Sequence, residues 1–241
     1  MDLIRSLSIW PRSEDIRRRG KPRLRGTNLL RAAGRDIGGI WIFGLNVLNL
    51  QYEMKFNPLN SMTYVFLAPG FEEIEAVAPI DIMRRAGMEV TSVAVTTDGS
   101  EAVEGAHGVP YVADIHIDEL AEDVEAEWLV LPGGMPGASN LHECEKLLAL
   151  LRKTAGGIAA ICASPAVVLG AEGLLEGKPA TCYPGFEDLC RGAEMTGAPV
   201  VTAPGLITAK GPAFATDFGL AIVNAALGEE KADEVARGML L

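Results

Sequence analysis

From residue 63 onward, short runs of consecutive apolar residues alternate with stretches whose apolar positions recur every three or four residues. Residues 63–69 (TYVFLAP), 89–95 (EVTSVAV), 127–134 (EWLVLPGG) and 156–161 (GGIAAI) have the composition of buried strands. Residues 72–87 (EEIEAVAPIDIMRRAG) predict a helix that ends on glycine. Leu141, Cys144, Leu148 and Leu151 recur at helical spacing, which places Cys144 on a core face. Residues 165–175 (PAVVLGAEGLL) predict another helix, and residues 105–114 (GAHGVPYVAD) a hairpin or edge excursion. Residues 179–183 and 200–211 supply further strands. Phe214, Phe218, Ala221, Ile222 and Ala225 mark one face of a penultimate helix, and residues 229–240 form the last one.

Strand-helix alternation of this kind predicts right-handed βαβ units and a mainly parallel sheet covered on both faces. The roughly 180 residues involved suit one doubly wound α/β domain. Reactive groups in such sheets gather beyond the carboxyl ends of the strands. Three ends carry candidates: Pro69-Gly70 ahead of Glu72, Pro132-Gly133-Gly134, and Cys162.

Cys162 lies between the apolar run ending at Ile161 and the Ser164-Pro165 start of the next predicted helix. Buried filler is one reading of such a cysteine. The other is a nucleophile on a tight strand-to-helix turn, analogous to the serine elbow of hydrolases. A helix start there would lower the thiol pKa from ~8.5 into roughly the 3.5–7.5 range. Glu75 shares its helix start with Glu72 and Glu73, a favourable first-turn placement in itself. Its neighbours Ile74 and Ala76 are apolar, so burial would raise its pKa and make it a proton donor. Gly133 and Gly134 either end a strand or present backbone N–H groups to a developing oxyanion.

Charge divides the chain. Residues 1–61 hold 11 of the 21 basic residues and 5 of the 32 acidic ones, which leaves an acidic remainder. Such a body disfavours nucleic acid and anionic membranes as partners. The leading segment admits three readings: a targeting extension, a surface-docking segment using Trp41, Ile42 and Phe43, or translated sequence upstream of a start at Met54 or Met62. The abrupt onset of α/β patterning favours the last, and a poorly structured or upstream extension is expected over 1–61. Cys144, Cys162, Cys182 and Cys190 show no paired metal-ligand spacing, and His107, His116 and His142 are scattered. A cytoplasmic protein without a disulfide framework, metal site or cofactor is expected.

Five blocks, LAPGFEEIEAVAPIDIMRRAGMEV, LVLPGGMPGASNL, AAICASPAVVL, TCYPGFEDL and KGPAFATDFGLAIVNAALG, occur in order after residue 61. Together they resemble the ThiJ/PfpI superfamily, in the branch of the parkinsonism-associated protein deglycase. The resemblance implies a flavodoxin-like three-layer sandwich over residues 62–241, a nucleophile elbow and a homodimer. It implies that Cys162 is the reactive cysteine and Glu75 the protonated carboxyl beside it, with Gly134 and Ala163 as backbone donors. Ala163 stands where the peptidase branch carries histidine, which disfavours proteolysis. Tyr183 stands where a histidine might be expected; a tyrosine orients or hydrogen-bonds but is a poor base near neutral pH. His107 falls near a position where an arginine is usual, so anion contacts there differ. The implied activity is a cofactor-independent glyoxalase or deglycase acting on small dicarbonyls such as methylglyoxal; the alternative is a redox sensor or stress chaperone working through oxidation of Cys162.

Overall fold

The computed structural model describes residues 62–241. The expectations for residues 1–61 lie outside the described residues. In chain order the elements are β1 (Met62–Leu67), α1 (Glu73–Arg85), β2 (Glu89–Ala94), β3 (Ala102–Glu104), β4 (Pro110–Val112), β5 (Ile115–His116), β6 (Ala126–Leu131), α2 (Gly137–His142), α3 (Glu145–Lys153), β7 (Gly157–Ile161), β8 (Pro179–Ala180), β9 (Glu194–Met195), β10 (Val200–Ala203), β11 (Leu206–Ala209), α4 (Ala215–Leu227) and α5 (Glu229–Gly238).

Seven strands form the central sheet in the order β10-β11-β7-β6-β1-β2-β5. All neighbours run parallel except β10, which turns back on β11 through Pro204-Gly205. Alternate residues of each inner strand enter opposite layers. Val65 and Leu67 of β1 join Trp128 and Val130 of β6 and Ile161 of β7 on one side. Tyr64 and Phe66 join Leu129, Leu131 and Ile158 on the other. Burial on both faces is why these strands read as unbroken apolar runs. The first layer is closed by α1 and α4 through Ile82, Met83, Phe218 and Ile222. The second is closed by α2 and α3 through Leu141, Leu147 and Leu151. The result is the expected flavodoxin-like three-layer α/β sandwich.

Four sequence expectations change. The helix expected over 165–175 is a single π-helical turn, Pro165–Gly170. A Cβ on Gly170 would come 2.3 Å from the Leu189 carbonyl oxygen, so the chain ends the turn on a residue that permits close backbone approach. The spacing Leu141, Cys144, Leu148, Leu151 spans two helices, and Cys144 is the residue before α3, half-buried and packed against the second core layer. The strand at 179–183 shortens to β8 and pairs with β9 in a separate two-stranded sheet. Ala225 is exposed, and Gly219 with Val223 completes the buried face of α4.

Phe218 is fully buried between α4 and α1, whereas Leu227 at the end of α4 is 43% exposed. Phe218→Ala should cost about 3–5 kcal/mol of unfolding free energy and Leu227→Ala within about 0.5 kcal/mol, measured by urea titration. Equal losses would contradict this placement of the core.

Candidate active site

The carboxyl ends of β1, β6 and β7 meet at one edge of the sheet, as the alternation predicts, and a fourth end, that of β11, joins them. The residue after β7 is Cys162. Its backbone sits at a φ of 66°, in the left-handed region that non-glycine residues seldom occupy. Its N–H donates to the Ala209 carbonyl at 2.9 Å, and its carbonyl accepts the Tyr183 N–H at 2.8 Å. The turn is thus pinned on both sides, which holds a strained residue in place. Ser164 Oγ donates to the Pro132 carbonyl at 2.6 Å and ties the elbow to the glycine turn after β6. Cys162 is 8% exposed.

Glu75 reaches this sulfur from the first turn of α1. The helix start is fixed by Glu72, whose Oε2 accepts the Glu75 N–H at 2.7 Å. Glu75 is fully buried, and its Oε2 accepts the Gly133 N–H at 2.8 Å. No side chain fits at Gly133: a Cβ there would sit 2.6 Å from Cys162 Cβ and 2.7 Å from Glu75 Oε2. At Gly134, with a φ of 87°, a Cβ would come 2.4 Å from the Glu72 nitrogen. The paired glycines therefore allow three chain segments to close around one carboxyl and one thiol.

Burial, aided by the nearby Glu72 carboxylate, pushes the Glu75 carboxyl up to about 7 against the pull of Cys162 and the Gly133 N–H. Burial, together with the charge and hydrogen bonding of Glu75, pushes the Cys162 thiol up to about 12, while the N–H groups of Gly134 and Ala163 act in the opposite direction. This corrects the expectation that a following helix lowers the thiol pKa. Only one π-helical turn follows, and the groups that favour the thiolate are two backbone donors. The carboxyl and thiol act as one coupled acid. With the proton on Glu75, the repulsion disappears and the carboxyl becomes a donor facing sulfur.

The other expected residues are placed as follows. Tyr183 is 45% exposed and stands beside Gly211, its Cδ2 3.4 Å from where a Cβ on Gly211 would be. Its ring meets Phe186 edge-on, with centroids 6.2 Å apart. His107, on the turn between β3 and β4, is held by Glu73: Nδ1 lies 2.8 Å from Glu73 Oε2, and its N–H donates to Oε1 at 2.7 Å. Against the cost of its burial, these bonds hold the Glu73 carboxyl down at about 2 and raise the His107 pKa. Glu72, Glu73 and His107 bring candidate ligand atoms within 4.8 Å of one another, but the helix cap and this ion pair account for their arrangement. Cys182 and Cys190 are both buried, Cys182 Sγ donates to the Tyr183 carbonyl at 3.4 Å, and the interaction between the two thiols raises the Cys182 pKa and lowers that of Cys190. Gly211 lies just beyond the end of β11 at Ala209, a fourth strand end that no motif in the sequence marks.

The Glu75 assignment has a signed consequence for stability. A carboxyl whose pKa rises from 4.5 to about 7 on folding contributes nothing adverse below pH 4.5 and its full penalty above pH 7. Replacing it by the isosteric amide removes that penalty. The unfolding free energy of Glu75→Gln relative to the parent chain should therefore increase from pH 4 to pH 8 by on the order of 3 kcal/mol. A pH-independent difference would contradict the raised carboxyl.

Residues 62–225 match the model of the DJ-1/PfpI family. Protein DJ-1 homolog B and homolog A of Arabidopsis thaliana are 38% and 39% identical to this chain over 179 and 204 residues. The matches cover 73% and 78% of this chain but 40% and 50% of those proteins, so the chain spans at most about half the length of these relatives. A Caenorhabditis elegans protein named glutathione-independent glyoxalase DJR-1.2 is 34% identical over 175 residues, covering 70% of this chain and 90% of the relative. The solved structure of oxidized Toxoplasma gondii DJ-1 superposes with a TM-score of 0.70 at 36% identity, covering 75% of this chain and 98% of that one. On the match to residues 62–225 and on these relatives, the chain belongs to the DJ-1/PfpI family.

Proposed function

We propose that this chain is a cysteine-dependent, cofactor-independent glyoxalase or deglycase acting on methylglyoxal-like dicarbonyls or their early glycation adducts. The observation that carries the reading is the thiol of Cys162 held against a buried carboxyl whose pKa stands at about 7, with two backbone N–H groups on the sulfur. A carboxyl poised near neutral pH both takes and returns protons efficiently. The glyoxalase named among the relatives supports the same chemistry.

In the proposed cycle, Glu75 accepts the thiol proton as Cys162 sulfur bonds to the aldehyde carbon of methylglyoxal. The carbonyl π-electrons move onto oxygen, and the N–H groups of Gly134 and Ala163 stabilise that charge. Protonation by Glu75 gives the hemithioacetal. The Glu75 carboxylate then removes the proton from the former aldehyde carbon, giving an enediolate whose ketone-derived oxygen takes the proton of the neighbouring hydroxyl. As that hydroxyl-bearing carbon becomes the thioester carbonyl, Glu75 delivers its proton to the adjacent carbon, which yields the thioester of 2-hydroxypropanoate. Water adds to the thioester carbonyl, and the C–S bond breaks to release lactate and the thiol. The two carbons exchange oxidation levels internally, so no external electron acceptor takes part.

A second reading, a redox sensor or stress chaperone, is supported by the same neutral carboxyl beside the sulfur, which would donate to an oxidised Cys162. Members of the family are typically dimeric, and this chain is proposed to pair as a homodimer. Exposed apolar side chains on α1, Ile74 and Val77, support that pairing. The cytoplasmic location stays part of the proposal. Among the described residues no helix is long and apolar enough to cross a membrane.

The test is lactate formation from methylglyoxal by the purified chain. Cys162→Ser should abolish it, and Glu75→Gln should lower kcat by about 10²–10⁴-fold, the usual worth of a positioned acid–base group. Equal turnover by the parent chain and Cys162→Ser would remove the enzyme reading. Conversion of Cys162 to a stable sulfinate by mild peroxide, in a chain with no turnover, would favour the sensor.

A further inference from the structure

Two further thiols lie outside the Cys162–Glu75 pair. Cys182 and Cys190 are 2% and 4% exposed and belong to the second core layer with Leu169, Leu175 and Ala180. Both are free thiols. Cys182 Sγ donates to the Tyr183 carbonyl at 3.4 Å, and the two thiols interact directly with each other. That interaction raises the Cys182 pKa, as burial also does, and lowers that of Cys190 against its burial. One sulfur of the pair is therefore the readier to ionise while the other keeps its proton. Thiolate character governs which thiol attacks an oxidant, so the pair is divided in the way a dithiol oxidation requires.

The backbone holds both residues in place. Beside Cys182, the Thr181 N–H donates to Thr208 Oγ1 at 2.9 Å and the Tyr183 N–H to the Cys162 carbonyl at 2.8 Å. The Cys190 N–H donates to the Glu187 carbonyl at 3.0 Å, and the Cys190 carbonyl accepts the Ala193 N–H at 3.1 Å. Cys190 Cα would stand 3.1 Å from a Cβ on Gly170, so the end of the π-helical turn packs against it from behind. The cover over the two sulfurs is thin. Of residues 183–189, which join the cysteines, only Phe186 is half-buried and the others are exposed. The regular element in that segment is one 3-10 turn, Glu187–Leu189. A short, exposed, irregular segment opens at small cost, and its opening admits a small oxidant.

We propose that Cys182 and Cys190 form a reversible disulfide, an oxidation site that needs neither Cys162 nor Glu75. The oxidant is a hydroperoxide. The Cys190 thiolate bonds to the terminal peroxide oxygen as the O–O bond breaks, which gives a sulfenic acid and releases hydroxide or alkoxide. The Cys182 sulfur then bonds to the Cys190 sulfur, the S–O bond breaks, and the Cys182 proton leaves with the oxygen as water. Together the two sulfurs lose two electrons, and the peroxide gains them. Exchange with a small dithiol restores both thiols. In a reducing compartment a bridge of this kind is transient, so it marks exposure to oxidant.

The experiment exposes the full Cys162→Ser chain to hydrogen peroxide near neutral pH, caps the remaining thiols and cleaves after glutamate. Cuts at Glu176, Glu187 and Glu194 put Cys182 and Cys190 on separate peptides, and a cut at Glu172 ends the peptide that carries position 162. The expected product is the two cysteine peptides joined, at a mass two hydrogens below their sum, and parted again by dithiothreitol. Cys190→Ser should lose that product. Separate capping of both cysteines, in a chain still folded by circular dichroism, overturns the proposal. So does a bridge that forms only once urea has unfolded the chain. Joined peptides in the parent chain but not in folded Cys162→Ser overturn it too, because the oxidation would then pass through Cys162. If Cys162→Ser does not fold, the parent chain decides: joined peptides free of any link to the Cys162 peptide support the bridge, and their absence removes it.

Discussion

A carboxyl group with no access to water sits against a thiol, and the geometry at this edge of the sheet follows from that contact. Glu75 is fully buried, and its carboxyl has as partners only the Gly133 N–H at 2.8 Å and the Cys162 thiol among the described residues. Burying an ionised carboxylate with so little compensation is unfavourable, so the group keeps its proton to higher pH. Its rise to about 7 is the balance between that burial and the donors left to it. The thiol is caught in the same balance, because each charge on one group disfavours charge on the other.

Several otherwise unrelated sequence features serve this one contact. Glu72 caps α1 so that Glu75 points inward from the first turn. The glycines after β6 let backbone come within touching distance of both side chains. The left-handed backbone of Cys162 keeps it in the layer occupied by Ile161 and Ala163 instead of alternating to the opposite one. These constraints come from three separate strand ends, and a parallel sheet is what brings such ends to one edge.

Strands with both faces buried announce themselves as apolar runs, so β1, β6 and β7 are legible to within three residues at either end. Glu75 was legible as a candidate, but its burial comes from its first-turn position facing the sheet and not from its neighbours, since Ile74 is exposed. What the pattern missed has local causes. Apolar composition over 165–175 does not distinguish a long helix from one wide turn, and the close approach of Leu189 that shapes Gly170 is a long-range contact. Helical spacing through Cys144 continues across the break between α2 and α3 as though nothing intervened. A helix start by itself favours a thiolate; the burial and the neighbouring carboxyl that oppose it arise from chain segments distant in sequence.

The central claim is that burial holds Glu75 protonated to near neutral pH beside Cys162. Its most direct measurement is a ¹³C NMR titration of the Glu75 side-chain carboxyl carbon in the full chain, assigned by comparison with Glu75→Gln. The account predicts a midpoint at about 7, well above the ordinary value of 4.5. A midpoint at or below the ordinary value would contradict it, because the carboxyl would then be a plain anion and the coupled pair would not exist.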